Sequence, residues 1–218
     1  IKNKDKKSEM YESIKDIARP SHADYTAFCK YNGFADYRGG GHFSGRVTAG
    51  IVAAGAIAIN ALKKKGIIIG SHISRLGGIA DRDFENFNED INALNQMQFA
   101  VLDGKKAEEM QDRIMKVRAE GDSVGGVIET AVVGLPAGVG EPWFDSVESM
   151  ISHAIFSIPA VKGIEFGAGF SIAEMRGSEA NDQFRSVEGK IVTETNRNGG
   201  INGGITNGMP VVFRTAIK

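Results

Sequence analysis

From Asp36 to Gly66 the chain reads DYRGGGHFSGRVTAGIVAAGAIAINALKKKG. Three consecutive glycines lead through a Ser-Gly-Arg-x-Thr step into a tract of small apolar residues, and no other stretch restricts the fold as strongly. Residues 44–65 carry helix signals along their whole length. Ser44 can cap the start. Val47, Ile51, Ala54, Ala58 and Leu62 recur on one face, and Lys63, Lys64 and Lys65 fall where the C-terminal dipole favours cations. Gly66 supplies the stop. Ala53, Ala54, Gly55 and Ala56 leave little bulk on any side, so the tract predicts a helix surrounded by protein, with neighbours approaching closely.

Glycine is abundant throughout, at 28 of 218 residues. The glycines cluster at 39–41, 125–126, 134–140, 163–169 and 199–208. Clustering points to tight turns and close backbone approach rather than to a flexible linker. No tract reads as a domain boundary and no repeat is evident, so residues 1–218 read as a single domain. A formal charge of -1 gives no basic field for nucleic acid. The single cysteine, Cys29, allows no internal disulfide and suits a reducing compartment. The longest apolar run, Ala49 to Leu62, reads as too short for a membrane span. The charged opening IKNKDKKSEM has no signal-peptide core, and its first residue, Ile1, predicts that the chain does not begin at a natural initiation site.

Along the chain, KSEMYESIKDI (7–17) has helical spacing through Met10, Ile14 and Ile17 and stops before Pro20. IIIGSHI (67–73) and GGVIETAVVG (125–134) read as strands, and residues 105–119 as an amphipathic helix with Ala107, Met110, Ile114 and Val117 inward. Residues 81–103 give no clear pattern. DSVESMISHAIFSI (145–158) predicts a helix with a capping box of Asp145 and Glu148. KGIEFGAGFSIAEM (162–175) predicts a strand with glycine bulges, NRNGGINGGITNG (196–208) a hairpin or wrapping loop, and MPVVFRTAIK a closing strand. Helices and strands do not alternate strictly, and strands come in pairs. That favours an α+β fold over a doubly wound sheet.

The glycine run ahead of a helix start exposes backbone N–H groups and a positive dipole end, a setting for an anion. Ser44 and Thr48 add hydroxyls, and Arg46 adds a fork suited to phosphate or carboxylate. A capped helix with a solvated arginine would carry the same residues. His22, in RPSHADY, has a carboxylate two residues on and could serve as a tuned acid or base; a surface histidine beside a turn would look identical. His42 sits inside the glycine collar. His72 and His153 read as structural, and the spacing of His and Cys suggests no metal site.

These same segments resemble the chorismate synthase family. RPSHADYTAFCKYNGFADYRGGG is similar to that family's RPGHADY…KYG..DYRGGG segment. GHFSGRVTAGIVAAGAI resembles its Ser-Ala/Gly-Arg-x-Ser/Thr signature. EGDSVGG, VGLPAGVGEPWFD, AVKGIEFGAGF, RGS and NGGINGGITNG follow in family order across nearly the whole chain. The resemblance implies an α+β sandwich with small-residue helices between antiparallel sheets. It implies a lyase that eliminates phosphate from 5-enolpyruvylshikimate-3-phosphate to give chorismate, in the shikimate pathway, with reduced FMN as cofactor. NADP as an associated nucleotide, a cytoplasmic setting, a homotetramer and no membrane or nucleic-acid partner come with it.

Carried over motif by motif, His22 is the catalytic histidine that protonates the reduced flavin, and Arg46 binds the substrate's anionic groups. His42, Phe43 and Ser44 match a flavin-contacting triplet. Ala160, Gly203 and Lys218 match further flavin contacts. No metal is implied. The triplet is more often Arg-Ser-Ser in the family, Ser21 replaces a usual glycine before His22, and Pro159 replaces a usual asparagine. The resemblance is to a middle section: the family's Gly-Glu-Ser-His region, with a second histidine, and its Arg-x-Asp-Pro region are outside these 218 residues. The expectation is an incomplete core with little or no activity alone. The alternatives are a non-catalytic anion- or flavin-binding assembly domain of the same fold, and an unrelated phosphate-binding module.

Overall fold

The computed structural model describes residues 8–218, whose contacts gather into two compact units that divide between Ala54 and Gly55. In the first unit α1 (Ser8–Glu12) is followed by turns, α2 (Asp24–Lys30) and two single 3-10 turns at Gly41–Phe43 and Gly45–Val47. These lead into α3 (Thr48–Lys63), which runs on past the division. The helix expected over residues 7–17 closes at Glu12; Lys7 lies outside the described residues. Ile14 and Ile17 instead donate to carbonyls three residues back. A short helix without a buried face is marginal, and single turns take its place.

The second unit is built on one antiparallel sheet of β1 (Ile68–Leu76), β2 (Ile79–Ala80), β3 (Gly126–Val133), β4 (Val161–Phe166) and a last strand, Val211–Ile217. Between them lie α4 (Phe87–Leu94), α5 (Gly104–Ala119), α6 (Val147–Phe156) and the short α7 (Gly177–Ala180). Two small hairpins, β5 (Phe184–Val187) with β6 (Lys190–Thr193) and β7 (Ile201–Asn202) with β8 (Ile205–Thr206), precede the last strand, β9. The spatial order is β2-β1-β3-β9-β4, and every neighbouring pair is antiparallel. This is the expected α+β class, with strands in sequence-adjacent and returning pairs.

Alternation along the strands separates two faces. On one, Val211 and Phe213 of β9 pack with Ile201 of β7, and Ile151 and Ile155 of α6 close over them. On the other, α4 lies against β1 so closely that a Cβ on Gly70 would stand 2.8 Å from Ile91. The expected stripe of α5 is turned inward, with Met110 fully buried. The unassigned region 81–103 contains α4, capped by Asn86, whose side chain accepts from the Glu89 N–H.

Three expectations need correction. The cap of α6 is Ser146, accepting from the Ser149 N–H at 3.1 Å, not Asp145 with Glu148. Both residues can cap, and the turn at Trp143–Asp145 pushes the start one residue on. The strand expected over 162–175 ends at Phe166. It keeps a bulge between Val161 and Gly163, but Gly167 and Gly169, with φ of +54° and +58°, turn the chain into a 3-10 helix at Gly169–Glu174. Finally, α3 has no buried residue: Val52 and Ile57 are 68% and 75% exposed. Its apolar side chains are exposed, apart from the half-buried Leu62. With the preceding 3-10 turn, the helical run Gly45–Lys63 has 19 residues, long and apolar enough to cross a membrane by length and composition. The run is therefore longer than the Ala49–Leu62 stretch judged too short, although core helices of soluble proteins meet the same criterion.

Candidate functional site

The collar Gly39–Gly41 turns for steric reasons. Gly39 takes φ +95°, and a Cβ on Gly40 would press within 2.9 Å of the Ser44 Cβ. Ser44 is extended and caps the next turn, its Oγ accepting from the Arg46 N–H at 3.3 Å. The Thr48 hydroxyl donates to the Gly45 carbonyl at 2.6 Å. The cap expected at Ser44 is present, while the Thr48 hydroxyl is engaged by the helix start itself.

His22 sits on the turn before α2. Ser21 adopts φ +56°, a left-handed backbone at a residue with a Cβ. Asp24 turns back toward the preceding segment. Its carboxylate accepts from Arg19 Nε at 2.7 Å, Arg19 Nη2 at 2.7 Å and the Arg19 backbone N–H at 3.0 Å. His22 Nδ1 lies 2.6 Å from the same carboxylate. The Arg19 guanidinium holds the Asp24 carboxyl well below the usual carboxylate range, against the opposing effect of partial burial. Arg19 also stacks over Tyr11, 5.6 Å from the ring centre.

These groups open on a cavity of about 580 Å³ lined by Tyr11, Arg19, His22, Phe28, Tyr31, Tyr37, the glycine collar, His42 and Phe43. That size is within the range of small-molecule and cofactor sites. Tyr37 fixes one wall through a 2.7 Å hydrogen bond to Glu12. Of the five residues expected in this unit, His22, His42 and Phe43 line the cavity. Ser44 and Arg46 follow directly in the chain without lining it.

The other three are in the second unit. Ala160 has φ +71°, and its carbonyl accepts from the Lys218 N–H at 3.3 Å, so these two are adjacent. Lys218 Nζ donates to the carbonyl and hydroxyl of Ser123 at 2.8 and 3.0 Å. Gly203 forms the β7–β8 turn at φ +61°, and no hydrogen bond joins it to Ala160 or Lys218. The hairpin reading of residues 196–208 matches this geometry. Its approach is set by Asp182, which accepts from Thr195 Oγ1 and from the backbone N–H groups of Arg197 and Asn198.

Sequence reasoning missed Arg19. The RPSHAD string contains Arg19, but its pairing with Asp24 needs the turn. Among the described residues no group of three or more His, Cys, Asp or Glu is arranged to hold a metal ion.

Known proteins match the whole chain. A family model described as chorismate synthase covers residues 1–218. Chorismate synthases of Pyrococcus abyssi and Chitinophaga pinensis are 48% and 47% identical over 218 residues, all of this chain but 60% and 56% of theirs. That of Methanosarcina barkeri is 45% identical over 216 residues. A crystal structure of chorismate synthase superposes with a TM-score of 0.81 at 32% identity, covering 88% of this chain and 61% of that one. The chain spans about 60% of the length of the curated relatives it matches. With the motifs in family order and the fold shared over most of its length, the chain belongs to the chorismate synthase family.

Proposed function

We propose that this chain forms the central part of a lyase that converts 5-enolpyruvylshikimate-3-phosphate to chorismate with reduced FMN. The observation that carries the reading is the cavity shared by His22, His42 and Phe43, in a chain of this family. A C–H bond and the C–O bond to the phosphate ester break across a 1,4-system, a diene forms, and phosphate leaves. Bound reduced FMN supplies electron density to that elimination and a place for the lost proton.

The residues fit such a group. Aromatic rings of Tyr11, Tyr37 and Phe43 line the cavity for a planar ring system, and His22 offers an exchangeable proton at its wall. His42, Phe43 and Ser44 would hold the flavin from the collar, with Ala160, Gly203 and Lys218 as further contacts. Arg46 would bind the substrate's anionic groups. A homotetramer in the cytoplasm, with no membrane or nucleic-acid partner, belongs to the same reading. So does an incomplete site: within residues 1–218 there is no Gly-Glu-Ser-His motif to bring the second histidine, and the chain by itself should form little chorismate.

The test is a lyase assay with reduced FMN, on this chain and on a family protein of full length carrying the same central sequence. His22→Gln in the longer protein should slow chorismate formation by roughly 10²–10⁴-fold, and Arg46→Ala should chiefly raise the substrate KM. Full activity in both variants would overturn the assignment. The exposed apolar side of α3 favours the second reading, an assembly domain. That reading takes first place if FMN binds nowhere in the longer protein.

A further inference from the structure

We infer that Asp24, clamped by Arg19, is a positioning residue that keeps a proton on Nδ1 of His22 and leaves Nε2 as the nitrogen through which His22 exchanges protons with the cavity. The inference rests on the reading of His22 as the acid–base residue, and adds to it which ring nitrogen acts and what decides it.

Both carboxylate oxygens of Asp24 accept charged hydrogen bonds from Arg19, at 2.7 Å each, so Asp24 is ionised. An ionised oxygen 2.6 Å from Nδ1 requires a proton between them, because two lone pairs at that distance repel. Arg19 Nη2 also stands 3.1 Å from Nδ1, where it could donate only to an unprotonated nitrogen. The shorter contact to a full negative charge decides between the two. With Nδ1 protonated in both charge states of the ring, only Nε2 gains or loses a proton. A carboxylate that fixes the tautomer of a working imidazole is a known device, and replacing it by an amide there leaves the wrong nitrogen protonated.

The experiment is long-range 1H–15N NMR of the His22 ring in the 218-residue chain, followed through its titration. The expected result is an Nδ1 signal that stays in the protonated range at every pH while Nε2 alone moves. In Asp24→Asn, Arg19 and the new amide can donate to Nδ1, and the neutral ring should shift toward the Nε2–H form; Asp24→Glu should restore the wild-type pattern. An Nε2–H neutral ring in the wild type would overturn the inference, as would an unchanged pattern in a folded Asp24→Asn variant. The wild-type spectrum decides the matter even if that variant does not fold. Because the readout is a tautomer and not lyase activity, it can fail while His22 still proves catalytic, or succeed while it does not.

Discussion

Glu129 lies directly across from His72 in the β1–β3 ladder, and its carboxylate meets His72 Nε2 at 3.1 Å in the buried interior of the second unit. On the other side of the ring, Asp81 meets Nδ1 at 2.7 Å. Glu129 in turn accepts from Arg214 of β9, and Arg214 donates to Glu165 of β4 at 2.6 Å. Strand register alone aligns this row of alternating charge across four strands.

Burial opposes charge on His72, but the hydrogen bonds to Glu129 and Asp81 and their negative charges outweigh it and raise its pKa. The folded pKa therefore exceeds the unfolded value of about 6.5. Stability from this shift is complete below the unfolded pKa and is lost as pH rises through the folded one. Thermal unfolding from neutral into alkaline pH should show the wild-type Tm falling more steeply than that of His72→Gln. Parallel curves would show that the ring carries no charge in the folded chain.

Arg214→Met removes the cation between Glu129 and Glu165 and leaves one buried and one half-buried carboxylate facing an apolar side chain. The expected loss is roughly 3–5 kcal/mol in a denaturant titration. A loss within about 1 kcal/mol would mean that water reaches the row and screens it.

Gly70→Ala tests how tightly α4 is seated. Its Cβ would meet both Cγ atoms of Ile91 at 2.8 Å, and Ile91 has no exposed surface into which to move. Overpacking of this kind costs about 1–3 kcal/mol, and Ile91→Val in the same chain should recover part of it.

Ser21→Gly should leave stability unchanged or raise it by up to about 1 kcal/mol, since glycine takes φ +56° without a Cβ penalty but loses more chain entropy on folding. Ser21→Val should lower it by more than about 1 kcal/mol. Calorimetry on the pair gives the sign directly; a valine variant as stable as the serine would mean that the loop relaxes out of the left-handed region.

The exposed apolar side of α3 should bind a hydrophobic dye and drive self-association of the isolated chain. Val52→Lys with Ile57→Lys should reduce both effects with little change in unfolding midpoint, because neither side chain is packed. Sedimentation as a monomer at high concentration, with no dye uptake, would contradict this.

Local signals determined much of the molecule before any contact was known. The apolar runs of β1, β3 and β9 and the inward stripe of Ala107, Met110, Ile114 and Val117 on α5 are written in the sequence, because a strand covered on both faces is apolar along its length and a helix covered on one side is apolar on one stripe. His22 and Asp24 are neighbours in the same short string, so their meeting needs only a turn. The end of β4 at Phe166 was not legible, since glycine serves a bulge and a stop equally well and only the packing of Gly167 against Arg197 and Gly199 separates them. The cap of α6 could not be chosen between Asp145 and Ser146, which differ little in capping preference. Tertiary structure alone decided the row from His72 to Glu165: its members are 57, 85 and 49 residues apart in successive contacts. No local rule reaches that far; the pairing of β1, β3, β9 and β4 sets which polar residues face one another, and burial then makes those pairings matter.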